Sequence, residues 1–591
     1  MKGIKTSWNL GLLYKNEYDP QIEKDIRAIE SAHKAFSKKY RNKDFTSSPQ
    51  RLLRALVDFE KMAKISNGSK PWWYFALRAE LNSDDAKAGA MATKIDQRLT
   101  EAGNLTTFFF LEIAKIPKSQ HVLFLNSKIL SPYAYRLKRI FENAQYNLSE
   151  PEEQIIDLLS QMSYTMWVDG NNKVVTSEPV ILGEKSMPIS ELSMKIEDFS
   201  DSERQAWSGA LNKKLKDISI FAEAELNAIY SYKKTLDQRR GFKKPYTATV
   251  LGYENTEKEI EALVATITKY FTVSQRFYRL HAKLLGKKKL SYADRSAKIG
   301  QIKKKFLFED AATITRRALG SVDKKYASLF DNFVSNGQID VYPKKGKAGG
   351  AFCWGQGDNP TFVLLNQVDT TGSVETLGHE MGHAIHTELS KIQPVRYQKY
   401  SMATAETAST FFELVTLDEL EKELNDDERI IFLHNRIRGD ISTIFRQIAC
   451  FNFELELHKR IRAEGQVSRA EIAKLLAAHM QSYMGSAAKV TEDDGYTFVS
   501  WGHIRRFFYV YSYAYGQLIS RALFEKWKED PTYAKKIEQF LSAGRSMSPK
   551  DIFKKIGIDT SDPKFFEAGL KGIEEDIKKL EKLTSKKKIK K

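Results

Sequence analysis

The stretch TLGHEMGHAIH, residues 376–386, contains the residue types that a metal site and its catalytic base require. His379, Glu380 and His383 fit the pattern H-E-x-x-H. Residues four apart share one face of a helix, so the imidazoles of His379 and His383 can bind one ion. Glu380 lies about 100° further round the helix, where its carboxylate can act as a general base on water. The alternative is an ordinary helix that happens to be rich in histidine.

A catalytic zinc site takes three protein ligands, and the third must come from elsewhere in the chain. His386 lies on the same helix and would need implausible bending to complete a tetrahedron. Glu388 is on that helix too, and it faces elsewhere. Glu406 opens a second apolar helix, AETASTFFELVTLDEL, at the distance expected for an antiparallel return. We therefore predict Glu406 as the third ligand.

Glu413 lies seven residues after Glu406, two turns along the same helix face. A carboxylate there can accept the second N–H of a ligating histidine, which is the usual support for such a ligand. A surface glutamate is the alternative for Glu413. We expect His386 to be a packing or supporting residue and not a ligand.

A second constellation lies far downstream, in residues 493–524, DDGYTFVSWGHIRRFFYVYSYAYGQLISRALF. One histidine, His503, is followed by tyrosines at alternate positions, 509, 511, 513 and 515. Tyrosine hydroxyls near a metal would be good donors to a developing oxyanion, and so would His503. The alternative is a buried aromatic helix with no role in chemistry.

The composition limits the kind of protein that carries these residues. The chain has 591 residues, 42% hydrophobic and 28% charged, which predicts a globular protein of at least two lobes. It has only two cysteines, Cys353 and Cys450, and no apolar run typical of a signal peptide or a membrane span. We expect a cytoplasmic protein that does not contact the membrane. The net charge is +18, but no basic run interleaves with aromatics, so we expect no nucleic-acid partner.

Most of the chain has the apolar spacing of helices, for example over 19–40, 202–236 and 256–286. Residues 337–366 depart from it: β-prone runs, Ile339–Tyr342 and Thr361–Leu365, flank a glycine-rich segment. This predicts a small antiparallel sheet beside the histidine-rich helix. We place domain boundaries so that 1–195 form an N-terminal helical lobe, 196–578 the catalytic domain and 579–591 a lysine-rich tail.

Four segments of the chain resemble the oligoendopeptidase F branch of the thimet oligopeptidase family of zinc metallopeptidases. They are WNLGLLYKNEYDPQIEKDI near the amino end, IDVYPKKGKAGGAFCWG with PTFVLLN, TLGHEMGHAIH with AETASTFFE, and HIRRFFYVYSYAYG. Together they extend over nearly the whole chain. The resemblance implies a mostly α-helical, two-lobed fold with a deep substrate cleft, and short unstructured oligopeptides as substrates.

The resemblance also implies roles for individual residues. It implies one zinc ion held by His379, His383 and Glu406, with Glu380 as base and proton shuttle. His503 would stabilise the transition state, together with Tyr513 as first choice of oxyanion donor and Tyr509 or Tyr511 as alternatives. The glycine-containing segment and the following strand would line the substrate cleft; their candidate residues are Gly350, Ala351, Phe362 and Val363. A substrate would pair with the edge of Thr361–Leu365 by strand addition.

One departure from the family leaves substrate preference open. Many relatives carry proline and aromatic residues around the histidine, where this chain has Arg505 and Arg506. Either arginine could hold a terminal carboxylate, so a zinc carboxypeptidase is the alternative enzyme. A non-catalytic peptide or nucleic-acid binder on the same fold is the alternative from another class. It is disfavoured because both histidines, the base and the third ligand are all present.

Overall fold

The computed structural model describes residues 3–66, 69–82, 84–177 and 179–586. It is built mainly of helices, as the apolar spacing predicts. Short π-helical turns, Gln161–Thr165 and Ile441–Arg446, join α8 to α9 and α19 to α20. The helices are α1 Pro20–Tyr40, α2 Pro49–Ser66, α3 Lys70–Leu81, α4 Ala86–Asn104, α5 Phe108–Ala114, α6 His121–Leu125, α7 Ala134–Asn143, α8 Glu150–Ser160, α9 Met166–Ser177, α10 Ile189–Lys195, α11 Asp201–Arg240, α12 Thr247–Gly252, α13 Glu257–Lys269, α14 Phe271–Leu284, α15 Phe308–Val322, α16 Lys324–Asn336, α17 Thr371–Ser390, α18 Met402–Glu421, α19 Asp426–Asp440, α20 Gln447–Glu464, α21 Arg469–Met484, α22 Glu492–Gly495, α23 Tyr511–Glu529, α24 Ala534–Leu541, α25 Pro549–Lys555 and α26 Pro563–Lys586.

In the part of the chain that the structure describes, the strands are short and form three small sheets. β1 pairs with β2 antiparallel, β3 pairs with β7 parallel, and β4, β5 and β6 form the third sheet. Within the described ranges, no helix is both long and apolar enough to cross a membrane. The strands are β1 Val180–Leu182, β2 Lys185–Met187, β3 Leu290–Ser291, β4 Ile339–Asp340, β5 Phe352–Trp354, β6 Phe362–Leu364 and β7 Ala488–Lys489.

The chain divides into two compact units, each made of three segments. The first unit contains residues 1–145, 304–423 and 523–557, and the second contains 146–303, 424–522 and 558–591. The helix pair α17 and α18 and the sheet of β4, β5 and β6 belong to the first unit. Residues 579–586 are the end of α26, and 587–591 of the expected tail lie outside the described residues. The boundaries at 195 and 578 and the deep cleft stay predictions.

The sheet beside α17 is mixed and not purely antiparallel as the sequence suggested. β5 and β6 form an antiparallel hairpin, with Cys353 opposite Val363, whereas β4 runs parallel to β6. The parallel pairing is possible because the chain between β4 and β6 is long enough to cross over and also to form β5. The strand order β4-β6-β5 makes β6 the central strand. The prediction that a substrate adds as a strand to the edge of Thr361–Leu365 is therefore wrong, since both edges of β6 are already paired.

The N-terminal segment covers the outer edge of β4. The backbone N–H of Val341 donates to the carbonyl of Thr6, and the indole N–H of Trp8 donates to the Val363 carbonyl at 2.8 Å. Trp8 packs with residues of β6 and α3 in one apolar cluster. β5 is left at the other edge of the sheet, where it contacts α17.

One predicted helix is observed as a single helix, and others are interrupted. The interruptions occur where the backbone leaves the helical conformation although the apolar spacing continues. The interval 202–236 is one helix, α11, which begins at a capping box of Ser200 and Glu203 and ends at Gly241 with φ 76°. The interval 256–286 is two helices, because Tyr270 has ψ 14° and leaves the helical conformation. The interval 493–524 is helical without a break only from Tyr511, the first residue of α23.

Candidate metal centre

Two glycines let α17 and α18 approach closely as antiparallel neighbours. A Cβ at Gly378 would lie 2.5 Å from the Thr416 hydroxyl, and a Cβ at Gly382 would lie 2.6 Å from the Ser409 Cα. Real Cβ atoms do not come so close to backbone, so only glycine fits at position 382 without moving α18. Each glycine directly precedes one histidine of the H-E-x-x-H pattern. The same spacing therefore sets both the helix contact and the position of the histidines.

The close approach brings three potential metal donors together. The ligand atoms of His379, His383 and Glu406 all lie within 4.8 Å of one another. Glu406 Oε2 is 3.6 Å from His379 Nε2 and 3.9 Å from His383 Nε2. Two imidazole nitrogens and one carboxylate oxygen are a donor set of catalytic zinc sites. Such a set fits one zinc ion with a coordination position left open.

Glu413 holds the other nitrogen of His379. Its carboxylate accepts from His379 Nδ1 at 2.8 Å, so Nε2 is the nitrogen that faces the donor cluster. Burial alone would lower the pKa of His379, but the hydrogen bond to Glu413 and the charges of Glu380 and Glu406 outweigh it and raise the pKa to about 9. This is the arrangement that the spacing of Glu406 and Glu413 predicts.

Glu380 is buried beside the donors without a partner for one of its oxygens. The residue is 6% exposed, and within the described ranges Oε2 has no hydrogen-bond partner. Burial, followed by repulsion from Glu406, raises the pKa of Glu380 to about 7 despite the opposing charge of His379. A carboxyl with a pKa near neutrality can both accept and return a proton.

The remaining histidines of α17 differ in their surroundings. Burial and the neighbouring charge of His379 lower the pKa of His383 to about 3. His386 is fully buried and stacks on the Tyr400 ring at 3.7 Å between centroids. It is not among the three clustered ligand residues. Tyr400 was not identified from the sequence, because a single tyrosine in a loop carries no periodic signal.

Four candidate substrate-binding residues lie in the sheet or just before it. Phe362 and Val363 are fully buried in β6, so their side chains are part of the core and are not exposed to solvent. Gly350 is exposed with φ 75°, and Ala351, which is half-buried, leads into β5. The placement favours Gly350 and Ala351 over Phe362 and Val363 as residues that a ligand could touch.

The second unit holds the other predicted site residues. The ring of His503 lies 5.4 Å from the Tyr509 ring and 5.7 Å from the Tyr513 ring, between centroids. The Tyr509 and Tyr513 hydroxyls are 3.0 Å apart. Tyr511 is fully buried, and its hydroxyl donates to the Asn255 side chain at 3.0 Å. The structure thus groups His503 with Tyr509 and Tyr513 but not with Tyr511.

His503 is neutral in this setting. Burial, with the positive charges of Arg446 and Arg506, lowers the pKa of His503 to about 4. Burial, and then the contact with Tyr513, raises the pKa of Tyr509 above that of an ordinary tyrosine, so its hydroxyl keeps its proton. A neutral imidazole and a tyrosine hydroxyl can both donate hydrogen bonds.

The two arginines beside His503 have different environments. Arg505 is 1% exposed and forms a bidentate ion pair with Glu225 at 2.7 and 2.6 Å. It is therefore not available to hold a substrate carboxylate, contrary to one of the possibilities that the sequence left open. Arg506 is exposed, with its guanidinium 5.8 Å from the centre of the Tyr509 ring.

Comparison with known proteins places this geometry in a family. Residues 197–572 match the sequence profile of peptidase family M3, and residues 112–176 match that of oligopeptidase F. The chain is 26% identical to an oligoendopeptidase F homolog of Lactococcus lactis subsp. lactis, over 98% of each chain. It is also 26% identical to oligopeptidase PepF of Bacillus subtilis, over 98% of this chain and 87% of that protein.

Solved structures share the fold. A crystal structure of oligoendopeptidase-F from Enterococcus faecium matches with a TM-score of 0.71 and 17% identity, over 96% of this chain and 99% of that one. A peptidase structure from Chlamydophila abortus matches with a TM-score of 0.84 and 20% identity, over 98% of each chain. With its helix-borne histidine–glutamate cluster and a family match over more than half its length, this chain belongs to peptidase family M3 and is a metallopeptidase of the oligoendopeptidase F type.

Proposed function

We propose that the protein is a zinc-dependent endopeptidase that hydrolyses internal bonds of short unstructured oligopeptides. In this proposal His379, His383 and Glu406 hold one zinc ion, and Glu380 is the general base. The observation that carries it is the group of three donor atoms within 4.8 Å, next to a buried Glu380 oxygen that has no hydrogen-bond partner among the described residues. When bound, the ion would supply Lewis-acid activation of water and of the peptide carbonyl.

Glu380 moves the proton in this reaction. Its carboxylate takes a proton from the attacking water and later gives it to the nitrogen of the leaving amine. Glu413 contributes by fixing the ring of His379 through Nδ1, which keeps Nε2 directed at the ligand cluster. Burial of Glu380 supports the role, because a desolvated carboxylate is a stronger base than an exposed one.

His503 and the Tyr509–Tyr513 pair would donate hydrogen bonds to the oxyanion that forms on the attacked carbonyl. The contact between the two hydroxyls and the neutral state of His503 support this role. Tyr513 remains the first choice, Tyr509 the second, and the bond from Tyr511 to Asn255 disfavours Tyr511. Replacing each tyrosine by phenylalanine should lower kcat most at the true donor, by about a hundredfold.

A substrate could pair with β5 in place of β6. β5 is at the edge of its sheet, follows Gly350 and Ala351, and contacts α17. An extended peptide added to this edge would gain main-chain hydrogen bonds that do not depend on its sequence. This mode of binding suits a peptidase that acts on unstructured peptides.

The direct test is mass spectrometry of unstructured peptides of about ten residues, a length a single added strand can present, incubated with the purified protein. The proposal expects internal cuts that disappear with a zinc chelator and return when zinc is added. Removal of single residues from the carboxyl end would instead favour the carboxypeptidase. An unchanged mixture with zinc-loaded, folded protein would overturn the proposal.

A further inference from the structure

The turn that carries His503 and Tyr509 has a backbone conformation that its own residues do not favour. We call residues 501–510 the aromatic turn. Phe507 and Phe508 have φ 46° and 66°, which is the left-handed region. Two consecutive residues with a Cβ rarely adopt it, because the side chain crowds the following carbonyl. Such strain persists only where the surroundings impose it, and it is concentrated at functional sites.

Two side chains hold the left-handed pair from either side. The hydroxyl of Thr249, in α12, donates to the Phe507 carbonyl at 2.7 Å. The carboxyl of Glu454, in α20, accepts the Phe508 N–H through Oε1 at 2.9 Å. The single peptide group that joins Phe507 to Phe508 is thus held at its carbonyl and at its N–H by two residues distant in sequence. Neither contact belongs to a regular helix or strand.

Further side chains fix the first half of the aromatic turn. The Tyr230 hydroxyl donates to the Ile504 carbonyl at 3.0 Å, and the Tyr164 hydroxyl donates to the Arg505 carbonyl at 2.7 Å. The Arg505 guanidinium, paired with Glu225, also donates to the carbonyl of Trp501 at 3.1 Å. Side chains therefore satisfy backbone groups that regular secondary structure would otherwise satisfy.

Glu454 is the member of this set that is hardest to explain by packing alone. It is 0% exposed, and Oε2 has no hydrogen-bond partner among the described residues. Burial raises the pKa of Glu454 well above its usual range. One turn later His458 is also fully buried, and its ring stacks with those of Tyr230 and Phe508, with centroids 4.0 and 4.9 Å away. Buried polar groups are costly, and an apolar residue would serve packing better.

Both π-helical turns of the described chain contact the same region. Tyr164 belongs to the first, Gln161–Thr165, and its ring lies 5.7 Å from that of Phe507. Arg446 ends the second, Ile441–Arg446, and its guanidinium lies 4.3 Å from the centre of the Trp501 ring. π-helical turns are rare and are frequent at functional sites. Here they direct one tyrosine and one arginine at the aromatic turn.

We propose that Glu454 is a positioning residue, which accepts the Phe508 N–H and so fixes the left-handed conformation that presents His503 and Tyr509 to the substrate. The inference rests on the proposed function, because it assigns Glu454 to the support of His503 and Tyr509, which are two of the proposed oxyanion donors. Glu454 itself touches no substrate. Thr249 has the same role at the Phe507 carbonyl, the other end of the same peptide group.

A matched pair of variants tests the role of Glu454. Glu454→Gln keeps a neutral acceptor for the Phe508 N–H, whereas Glu454→Leu removes it at similar volume. We expect Glu454→Gln to retain kcat within about threefold, and Glu454→Leu to lower kcat by about a hundredfold, since small displacements of positioned groups have effects of this size. KM and zinc content should stay at wild-type values in both. Faster hydrogen exchange of residues 501–510 should accompany the loss in Glu454→Leu.

A second pair covers the case in which Glu454→Leu does not fold. Thr249→Val removes the hydroxyl that holds Phe507, and Thr249→Ser keeps it, so kcat should fall in the first and not in the second. Unchanged kcat in Thr249→Val or in a folded Glu454→Leu would overturn the proposal. Equal losses in Glu454→Gln and Glu454→Leu would overturn it as well. If the wild-type protein itself cleaves no peptide with zinc bound, the proposed function fails, which is a separate result.

Discussion

The metal centre and the aromatic turn are built in different ways. In the candidate metal centre two regular helices, α17 and α18, place the His379, His383 and Glu406 side chains, and glycine at 382 sets the separation of the helices. In the aromatic turn the backbone is irregular, and side chains from α11, α12 and α20 hold it in place. The repeat of a helix determines which side chains of one stretch of sequence lie on the same face. A turn held by distant side chains depends on several separate helices of the second unit.

The largest effect should come from the base of the metal centre. Glu380→Gln removes the group that we propose as the proton acceptor but leaves His379, His383 and Glu406 in place. We expect kcat to fall on the order of a thousandfold with zinc content unchanged, because general-base catalysis contributes about 10²–10⁴-fold. Steady-state kinetics with zinc analysis of the same sample checks this. Turnover close to wild type would mean that Glu380 is not the base.

The adjacent arginines of the aromatic turn should differ sharply in their effect on stability. Arg505→Met leaves Glu225 buried without its partner and should cost about 3–5 kcal/mol of unfolding free energy. The matched variant Arg506→Met changes an exposed side chain and should leave the denaturation midpoint in place. Chemical denaturation of both variants measures the difference. Equal midpoints would show that the buried ion pair does not support the second unit.

The contact between α17 and α18 leaves no space for a Cβ at position 382, so a side chain there should lower stability. In Gly382→Ala the new Cβ meets the backbone of Ser409, which should cost about 1–3 kcal/mol and weaken zinc binding as α18 shifts. Gly372→Ala is the control on the same helix, since its Cβ would find no atom nearer than 3.6 Å. Thermal unfolding and zinc titration compare the two. Similar behaviour of both variants would argue against a close contact.

Weakening the hydrogen bond between Glu413 and His379 should lower zinc affinity, which is a smaller effect than those above. Glu413→Gln weakens the hydrogen bond to His379 Nδ1, and we expect affinity to fall about tenfold to a hundredfold. Glu388→Gln, whose carboxylate accepts from Thr361 and Lys391, is the control and should leave affinity unchanged. Competition with a coloured chelator measures both. An unaltered zinc affinity in Glu413→Gln would show that Glu413 does not support His379 as a metal ligand.

The smallest expected effect concerns His503, whose imidazole should not titrate near neutral pH. With a pKa of about 4, His503 stays neutral from pH 5 upward. Between the ordinary histidine pKa of about 6.5 and pH 4 the unfolded chain binds a proton that the folded one does not, so this group lowers stability as the pH falls. NMR of labelled histidines should show no titration of His503 above pH 5. A midpoint near 6.5 would mean that the ring is solvated.

The sequence predicts the clustering of the candidate metal ligands better than the contacts of the aromatic turn, for a physical reason. His379, His383, Glu406 and Glu413 are related by spacings of four and seven along helices, so their shared faces can be read from the chain. The contacts of Glu454, Tyr230 and Thr249 join residues more than fifty positions apart, and no local pattern reveals them. The same limit explains the misassigned edge of the sheet. β-prone runs identify strands, but only the tertiary pairing shows that β6 is central.

The most direct test of the account is X-ray diffraction from zinc-loaded crystals on either side of the zinc absorption edge. We expect one anomalous peak per chain, about 2.0–2.2 Å from His379 Nε2, His383 Nε2 and a Glu406 carboxylate oxygen. Glu380 should lie close to the peak without ligating it. A peak on other residues, or none in crystals of zinc-saturated protein, would contradict the assignment of this helix pair as the metal centre.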